Sequence, residues 1–250
     1  FLLGIFRLVQ IIKKQLIVKV PEVLTFGHYT SGEVLQAYLK QKDDDKEKGS
    51  KYSIVTKSRL NNVNYMNDPS EGKVLDQFLY SDLTFKQISL KPSPWFLMCL
   101  TTAIDCLEMW AQYGKQAKGV CLVLKSNDFS KVDDFTVVPA FKLFEEESSL
   151  SLENEECEQN QKSQDFLYRI CYLSNPETSD VLLEKEHNNS LGKNKINILN
   201  NSLMRLKKLV ENIDNRSTLY EDVDRYLEEI RYLFKFADYS YESELRLLKY

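Results

Sequence analysis

The sequence predicts an α+β protein with about six to eight mostly short strands and four or five helices. Helical stripes are the first sign. Ile5, Leu8, Val9, Ile12 and Leu16 recur at the spacing of one helix face, and Leu199, Leu203, Leu206, Leu209, Val210 and Ile213 do so again in the last third. Short apolar runs are the second. Residues 94–104 and 119–124 are nearly continuous apolar stretches bounded by turn residues, as buried strands require. The third is negative: there is no internal repeat, no G-x-G-x-x-G and no Walker loop.

Composition bounds the function. The chain has 250 residues, 43% hydrophobic and 28% charged, which suits an ordinary globular protein that needs no disulfide staples. Its net charge is −4, from 33 basic and 37 acidic residues. Such a balance gives no electrostatic case for nucleic acid or an anionic membrane as main partner. Cys99, Cys106, Cys121, Cys157 and Cys171 form no C-x-x-C pair, and only two histidines accompany them. A zinc site is therefore not expected, and the thiols read as free in a reducing compartment. Phe1 is not preceded by a methionine, which reads as a piece of a longer protein. The apolar start is broken by Arg7, Lys13 and Lys14, so it predicts neither a membrane span nor a signal peptide.

In order, residues 1–20 form an amphipathic helix ended by Pro21, and residues 21–250 form one α+β domain. A strand over 23–31 carries His28, Tyr29 and Thr30 near its end, and Ser31 caps a helix behind it. Residues 41–51 form a charged loop and Tyr52–Thr56 a strand. An asparagine-rich stretch turns at Asn67-Asp68-Pro69 and leads into a helix over 70–79. The runs 94–104 and 119–124 are buried strands separated by a short helix at 107–114. Residues 135–138 and 140–144 are two further strand-like pieces, and 145–165 is an acidic, serine-rich flexible insertion. Residues 166–173 form a single strand. From Val181 to Phe236 the chain is helical, broken at 212–217 into an antiparallel pair.

The closing stretch Tyr239-Ser240-Tyr241-Glu242-Ser243-Glu244-Leu245-Arg246 reads as a strand. Residues two apart on a strand share a face, so Glu242, Glu244 and Arg246 leave it together. Three charges in a row are an ordinary solvated face. They are also how a site would polarise a sugar hydroxyl with one carboxylate and deprotonate an acceptor with the other.

Four stretches in order resemble a widespread bacterial family of uncharacterised domains. They are Gly27-His28-Tyr29-Thr30-Ser31, Asn67-Asp68-Pro69-Ser70-Glu71-Gly72, Met109-Trp110-Ala111-Gln112-Tyr113-Gly114 with Gly119-Val120-Cys121, and Tyr241-Glu242-Ser243-Glu244-Leu245-Arg246. The resemblance spans roughly 24–144 and 166–250. More distantly, the opening His-Tyr-Thr and the closing Glu-x-Glu are similar to ADP-ribosyltransferases.

That likeness implies a split mixed or antiparallel sheet with flanking helices, gripping NAD as a substrate between the first and a late strand. It further implies that Glu244 bonds the 2′-hydroxyl of the nicotinamide ribose and stabilises a cationic transition state, while Glu242 orients or deprotonates the acceptor. His28, Tyr29 and Thr30 would contact NAD, and Arg59, Asn67, Asp68, Trp110, Tyr113 and Arg246 would complete the pocket. The reading needs His28 and Glu244 on neighbouring central strands, opening into one pocket; side chains on opposite sides of the sheet would speak against it and for an interaction module. No Ser-Thr-Ser strand of the kind frequent in those enzymes is present; Thr101-Thr102 comes nearest.

The implied protein works in a bacterial cytoplasm or as a toxin or effector delivered into a target cell, with a protein first among candidate acceptors. Two alternatives stand beside it. One is a non-catalytic ligand-binding domain on the same fold; the other is an interaction module working through its helices.

Overall fold

The computed structural model describes residues 1–18, 25–41, 52–54, 60–80, 90–125, 166–174, 181–182, 190–211, 213 and 218–250. The expected strand pieces at 135–144, the acidic stretch 145–165 and residues 42–51 of the charged loop lie outside them, as does Arg59.

Helix α1 (Leu2–Leu16) forms where the apolar stripe predicts it, and Ile5, Leu8, Val9, Ile12 and Leu16 are all buried. Burying each such side chain is worth about 1.5–3 kcal/mol before entropy is counted. The helix ends at Ile17, whose backbone is extended. Ile17 bridges to Tyr168, and Val18 N–H donates to the Leu167 carbonyl at 2.8 Å.

Strand β1 (Thr25–Thr30) leads through the Ser31 cap, whose hydroxyl accepts from Val34 N–H at 3.3 Å, into α2 (Gly32–Tyr38). A hairpin of β2 (Leu39–Gln41) and β3 (Tyr52–Ile54) follows. Next come β4 (Asn61–Asn62) and α3 (Val74–Leu79), the latter shorter than expected because residues 69–73 form turns. Strand β5 (Phe96–Thr101), α4 (Leu107–Gln112) and β6 (Val120–Lys125) match the expected order.

The run 166–173 is not one strand. It splits into β7 (Leu167–Arg169) and β8 (Cys171–Leu173), which join different sheets. Ile170 is the crossing point: its N–H donates to the Glu244 carbonyl, and the next N–H, of Cys171, donates to the Leu233 carbonyl. Every residue of the run is buried, so no alternation marks the break. After β9 (Val181–Leu182) come α5 (Ser190–Val210) and α6 (Thr218–Arg231). The two do not form the expected hairpin pair; each packs mainly on α1, which lies against both. Helix α6 also ends earlier than its apolar spacing suggests. Phe234–Phe236 is strand β10, parallel to β8, and a 3₁₀ helix (Ala237–Glu242) then leads to β11 (Glu244–Lys249).

Among the described residues the main sheet is six-stranded and antiparallel, in the order β6-β1-β5-β11-β7, with β4 on β5. Strand β6 was expected to be buried. It lies instead at the edge of the described sheet, mostly half-exposed, with Val123 52% exposed. A three-stranded sheet, β10-β8-β9, stands beside it. The larger core gathers α1, α3, α5 and α6 with Leu97, Tyr172, Phe234 and Leu248, while Phe26, Met98, Leu100 and Leu245 form a smaller one. The fold is thus α+β with a mostly antiparallel sheet. Among the described residues no helix is long and apolar enough to cross a membrane.

Candidate functional site

Strand β1 pairs with β6 along all six of its residues but touches β5 at one register position, Gly27 opposite Thr101. The two strands then splay. A cavity of about 210 Å³ opens there, lined by Gly27, His28 and Tyr29 of β1, by Cys99, Leu100 and Thr101 of β5, and by Met66, Asn67, Asp68, Glu71, Met109, Tyr113, Lys235, Glu242 and Glu244. At Gly27 a Cβ would sit 2.8 Å from Cys121 Sγ of β6, so glycine leaves room for that side chain beside the pivot.

The expected strand through Glu242 does not exist. Glu242 ends the 3₁₀ helix, and Ser243 sits at φ 43°, in the left-handed region. Two hydrogen bonds hold that junction to the end of β5: Thr101 Oγ1 donates to the Glu242 carbonyl at 2.5 Å, and Thr102 N–H donates to the Ser243 carbonyl at 3.2 Å. Strand alternation therefore relates Glu244 to Arg246 only. Glu242 reaches the same place through a kink.

The charges interlock. Glu244 is buried, with Arg246 Nε 2.7 Å from Oε1 and Lys235 Nζ 2.8 Å from Oε2. Lys235 also lies 2.6 Å from Glu242 Oε2, while Tyr113 donates its hydroxyl to Glu242 Oε1 at 2.6 Å. Behind them Arg246 grips Glu71 through two N–H···O bonds of 2.5 and 2.9 Å. Burial pushes the Glu244 carboxyl up, but Arg246 and then Lys235 more than offset it, holding its pKa at about 2. Burial alone would lower Lys235; Glu244 and Glu242 raise it instead. The Tyr113 hydroxyl is raised by burial and then by the carboxylate it bonds. Burial, followed by the Glu244 charge, also raises the Cys99 thiol, which is a poor nucleophile in consequence. Among the described residues that line the cleft, the carboxylates Asp68, Glu71, Glu242 and Glu244 face the single cation Lys235, with Arg246 behind them, so this lining is formally negative.

The expected residues fall into three groups. Glu242, Glu244, His28, Tyr29, Asn67, Asp68 and Tyr113 line the cleft. Thr30, Trp110 and Arg246 do not. Thr30 pairs with Val120 at the far end of β1, Trp110 packs edge-on against Tyr29 with ring centroids 4.8 Å apart, and Arg246 is fully buried behind Glu244. Arg59 lies outside the described residues.

His28 also needs a correction. It and Glu244 are not on neighbouring strands, because β5 lies between β1 and β11. Gly27, Thr101 and Glu244 are in register across the three strands and share a face. His28 therefore leaves β1 on the opposite face, and its Nδ1 lies 2.9 Å from the Cys99 carbonyl at the splay. Both residues border the cleft, but His28 does so from the strand gap, so the expected placement on neighbouring strands is not met, and their opposite faces favour the alternative of an interaction module. Tyr29 spends its hydroxyl on the carbonyls of Ala103 and Ile104, at 3.1 and 2.5 Å.

Sequence reasoning missed Lys235, Glu71 and Cys99. Lys235 was hidden in a helical reading of what is β10. Glu71 sat inside a quoted motif without a role. Among the described residues no group of three or more His, Cys, Asp or Glu is arranged to hold a metal ion.

These features define an α+β domain with a carboxylate-rich cleft where two strands of an antiparallel sheet part. The chain belongs to DUF2971, a family of proteins of unknown function, whose model matches residues 109–247. The match takes in the Met109–Gly114, Gly119–Cys121 and Tyr241–Arg246 motifs. The Gly27–Ser31 and Asn67–Gly72 motifs lie before it, yet both reach the same cleft. No curated protein and no solved structure matches the chain.

Proposed function

We propose that the protein is an NAD-dependent ADP-ribosyltransferase whose cleft takes the nicotinamide riboside end of NAD, with a protein as acceptor. The observation that carries this reading is that Glu242 and Glu244 line one cleft between splayed strands together with Tyr29, and with His28 reaching it from the strand gap. The nicotinamide ring of NAD is cationic, and the sugar becomes cationic as the glycosidic bond breaks. A formally negative, partly aromatic cleft favours both.

In this reaction the C1′–N bond breaks and its electron pair leaves with nicotinamide, which departs neutral and needs no acid. Glu244 stabilises the charge growing on the sugar. The acceptor forms the new bond to C1′, and its proton passes to the Glu242 carboxylate, for which Tyr113 must first release Oε1. Tyr29 and Tyr113 supply apolar ring surface for the base. His28 contributes from the strand gap.

One observation favours a second reading. Both oxygens of Glu244 are held in ion pairs, as expected of a carboxylate that braces the fold. A non-catalytic ligand-binding domain on this fold would look the same. Incubation with NAD labelled in the nicotinamide ring separates the two. Release of nicotinamide that depends on Glu244 supports the transferase; NAD binding without release supports the binding domain; neither binding nor release ends the NAD reading.

A further inference from the structure

Lys235 is a buried lysine that touches both candidate catalytic carboxylates, at 2.6 Å from Glu242 and 2.8 Å from Glu244. It comes from β10, a strand of the smaller sheet, whereas Glu244 belongs to the main sheet and Glu242 to the 3₁₀ helix between them. One ammonium thus ties three separate elements together at the cleft wall.

Two carboxylates brought this close repel, and a cation between them offsets the repulsion. Glu244 has a second cation in Arg246, but that guanidinium is shared with Glu71. Among the described residues no second cation touches Glu242: its other oxygen accepts from the Tyr113 hydroxyl. Among the described residues the other groups around the pair are thiol and phenol groups. Cys99 faces Glu244 from β5, the Tyr172 hydroxyl of β8 accepts from Glu244 N–H at 2.9 Å, and Tyr239 of the 3₁₀ helix lies under the Lys235 ammonium at 5.4 Å.

We propose that Lys235 is the positioning residue of this site, clamping the Glu242 and Glu244 carboxyl groups side by side at the cleft wall. On the transferase reading, on which the functional half of this inference rests, the clamp lets one carboxylate face the sugar while the other faces the acceptor. Lys235 itself touches neither sugar nor acceptor. Its flat β-strand setting matters because a helical continuation of α6 would turn residue 235 to a different bearing.

The test compares wild type with Lys235→Met, which keeps the length of the stem without the charge, and Lys235→Arg, which keeps the charge. Carbon-13 NMR of the glutamate side-chain carboxyls follows the titration directly and needs no turnover. In Lys235→Met the Glu244 titration should move up by about 1–3 pH units, the effect of losing an opposite charge at contact distance. In Lys235→Arg it should stay near the wild-type position. Nicotinamide release from NAD is the second readout: the acid limb of its pH profile should move up in Lys235→Met, with kcat falling more than KM rises, and Lys235→Arg should restore most of the loss.

The two failures are distinguishable. If wild type releases no nicotinamide while the carboxyl titration still shifts, the transferase reading falls and the clamp stands. If Lys235→Met stays folded and the titration does not move, the clamp is overturned whatever the activity. Should Lys235→Met not fold, Lys235→Gln is titrated in its place and read by the same criterion.

Discussion

Arg246 and Glu71 stand 175 residues apart in the chain and meet in a buried two-pronged ion pair, Nη1 to Oε1 at 2.5 Å and Nη2 to Oε2 at 2.9 Å. The pair fixes the turn before α3 to the central strand β11, and Arg246 Nη1 also donates to the Tyr232 carbonyl at 2.5 Å. Stranding one partner of a buried pair costs on the order of 3–5 kcal/mol. Glu71→Ala should lose less than that in urea unfolding, because Arg246 keeps its pair with Glu244. The double variant Glu71→Leu with Arg246→Met should lose less than the two single changes added together, because neither member of this pair is then left without the other, while Glu244 keeps Lys235 in both Arg246 variants. Additive losses would show that the two side chains do not act as a unit.

Acid stability follows from Glu244. Its folded pKa, about 2, lies below its ordinary value of 4.5. The ionised carboxylate therefore favours the folded state above pH 4.5, and that contribution drains away as the pH falls towards 2. At one pKa unit per 1.36 kcal/mol the whole contribution is on the order of 3 kcal/mol. Denaturant midpoints measured from pH 5 to 2 should fall more steeply for wild type than for Glu244→Gln. Parallel slopes in that window would mean that another group governs acid unfolding.

Ser243 tests the kink. A non-glycine residue at φ 43° is strained, at roughly 1 kcal/mol for an ordinary side chain and more for a β-branched one. Ser243→Gly should keep or slightly raise the melting temperature, and Ser243→Val should lower it. Because the kink delivers Glu242 to Lys235, Ser243→Val should also depress acceptor labelling beyond what its loss of stability explains. Equal melting temperatures for the two variants would show that the junction tolerates either backbone.

Much of this was legible in the sequence where one face is buried and turn chemistry is local. The α1 stripe, the Ser31 cap, β1 with His28, β5 and the Glu244–Arg246 alternation all follow from spacing. Long-range pairing was not legible: nothing near Glu71 announces Arg246. The sheet switch at Ile170 leaves no alternation to break, since both faces of that run are buried. Leu233 and Phe234 continue the helical period of α6, which concealed β10 and with it Lys235. The left-handed Ser243 lacks the glycine that usually signals such a turn, so Glu242 looked like a strand residue.

The decisive chemical prediction concerns Glu244. Substitution by glutamine keeps its shape and removes its charge, and the charge matters most once the ribose has become cationic. Turnover should therefore fall far more than NAD affinity, by roughly 10²–10³-fold, the range for removing one well-placed electrostatic group. His28→Ala should weaken NAD binding with a smaller effect on turnover, because its contact is made in the ground state from the strand gap. Glu242→Gln should reduce acceptor labelling more than NAD hydrolysis, since water needs less orientation than a specific acceptor. Lys235 and Arg246 lose a partner in the Glu244 variant, so thermal unfolding must accompany each assay. Nicotinamide release at an unchanged rate from folded Glu244→Gln would remove Glu244 from the chemistry and leave it the brace that its two ion pairs already make it.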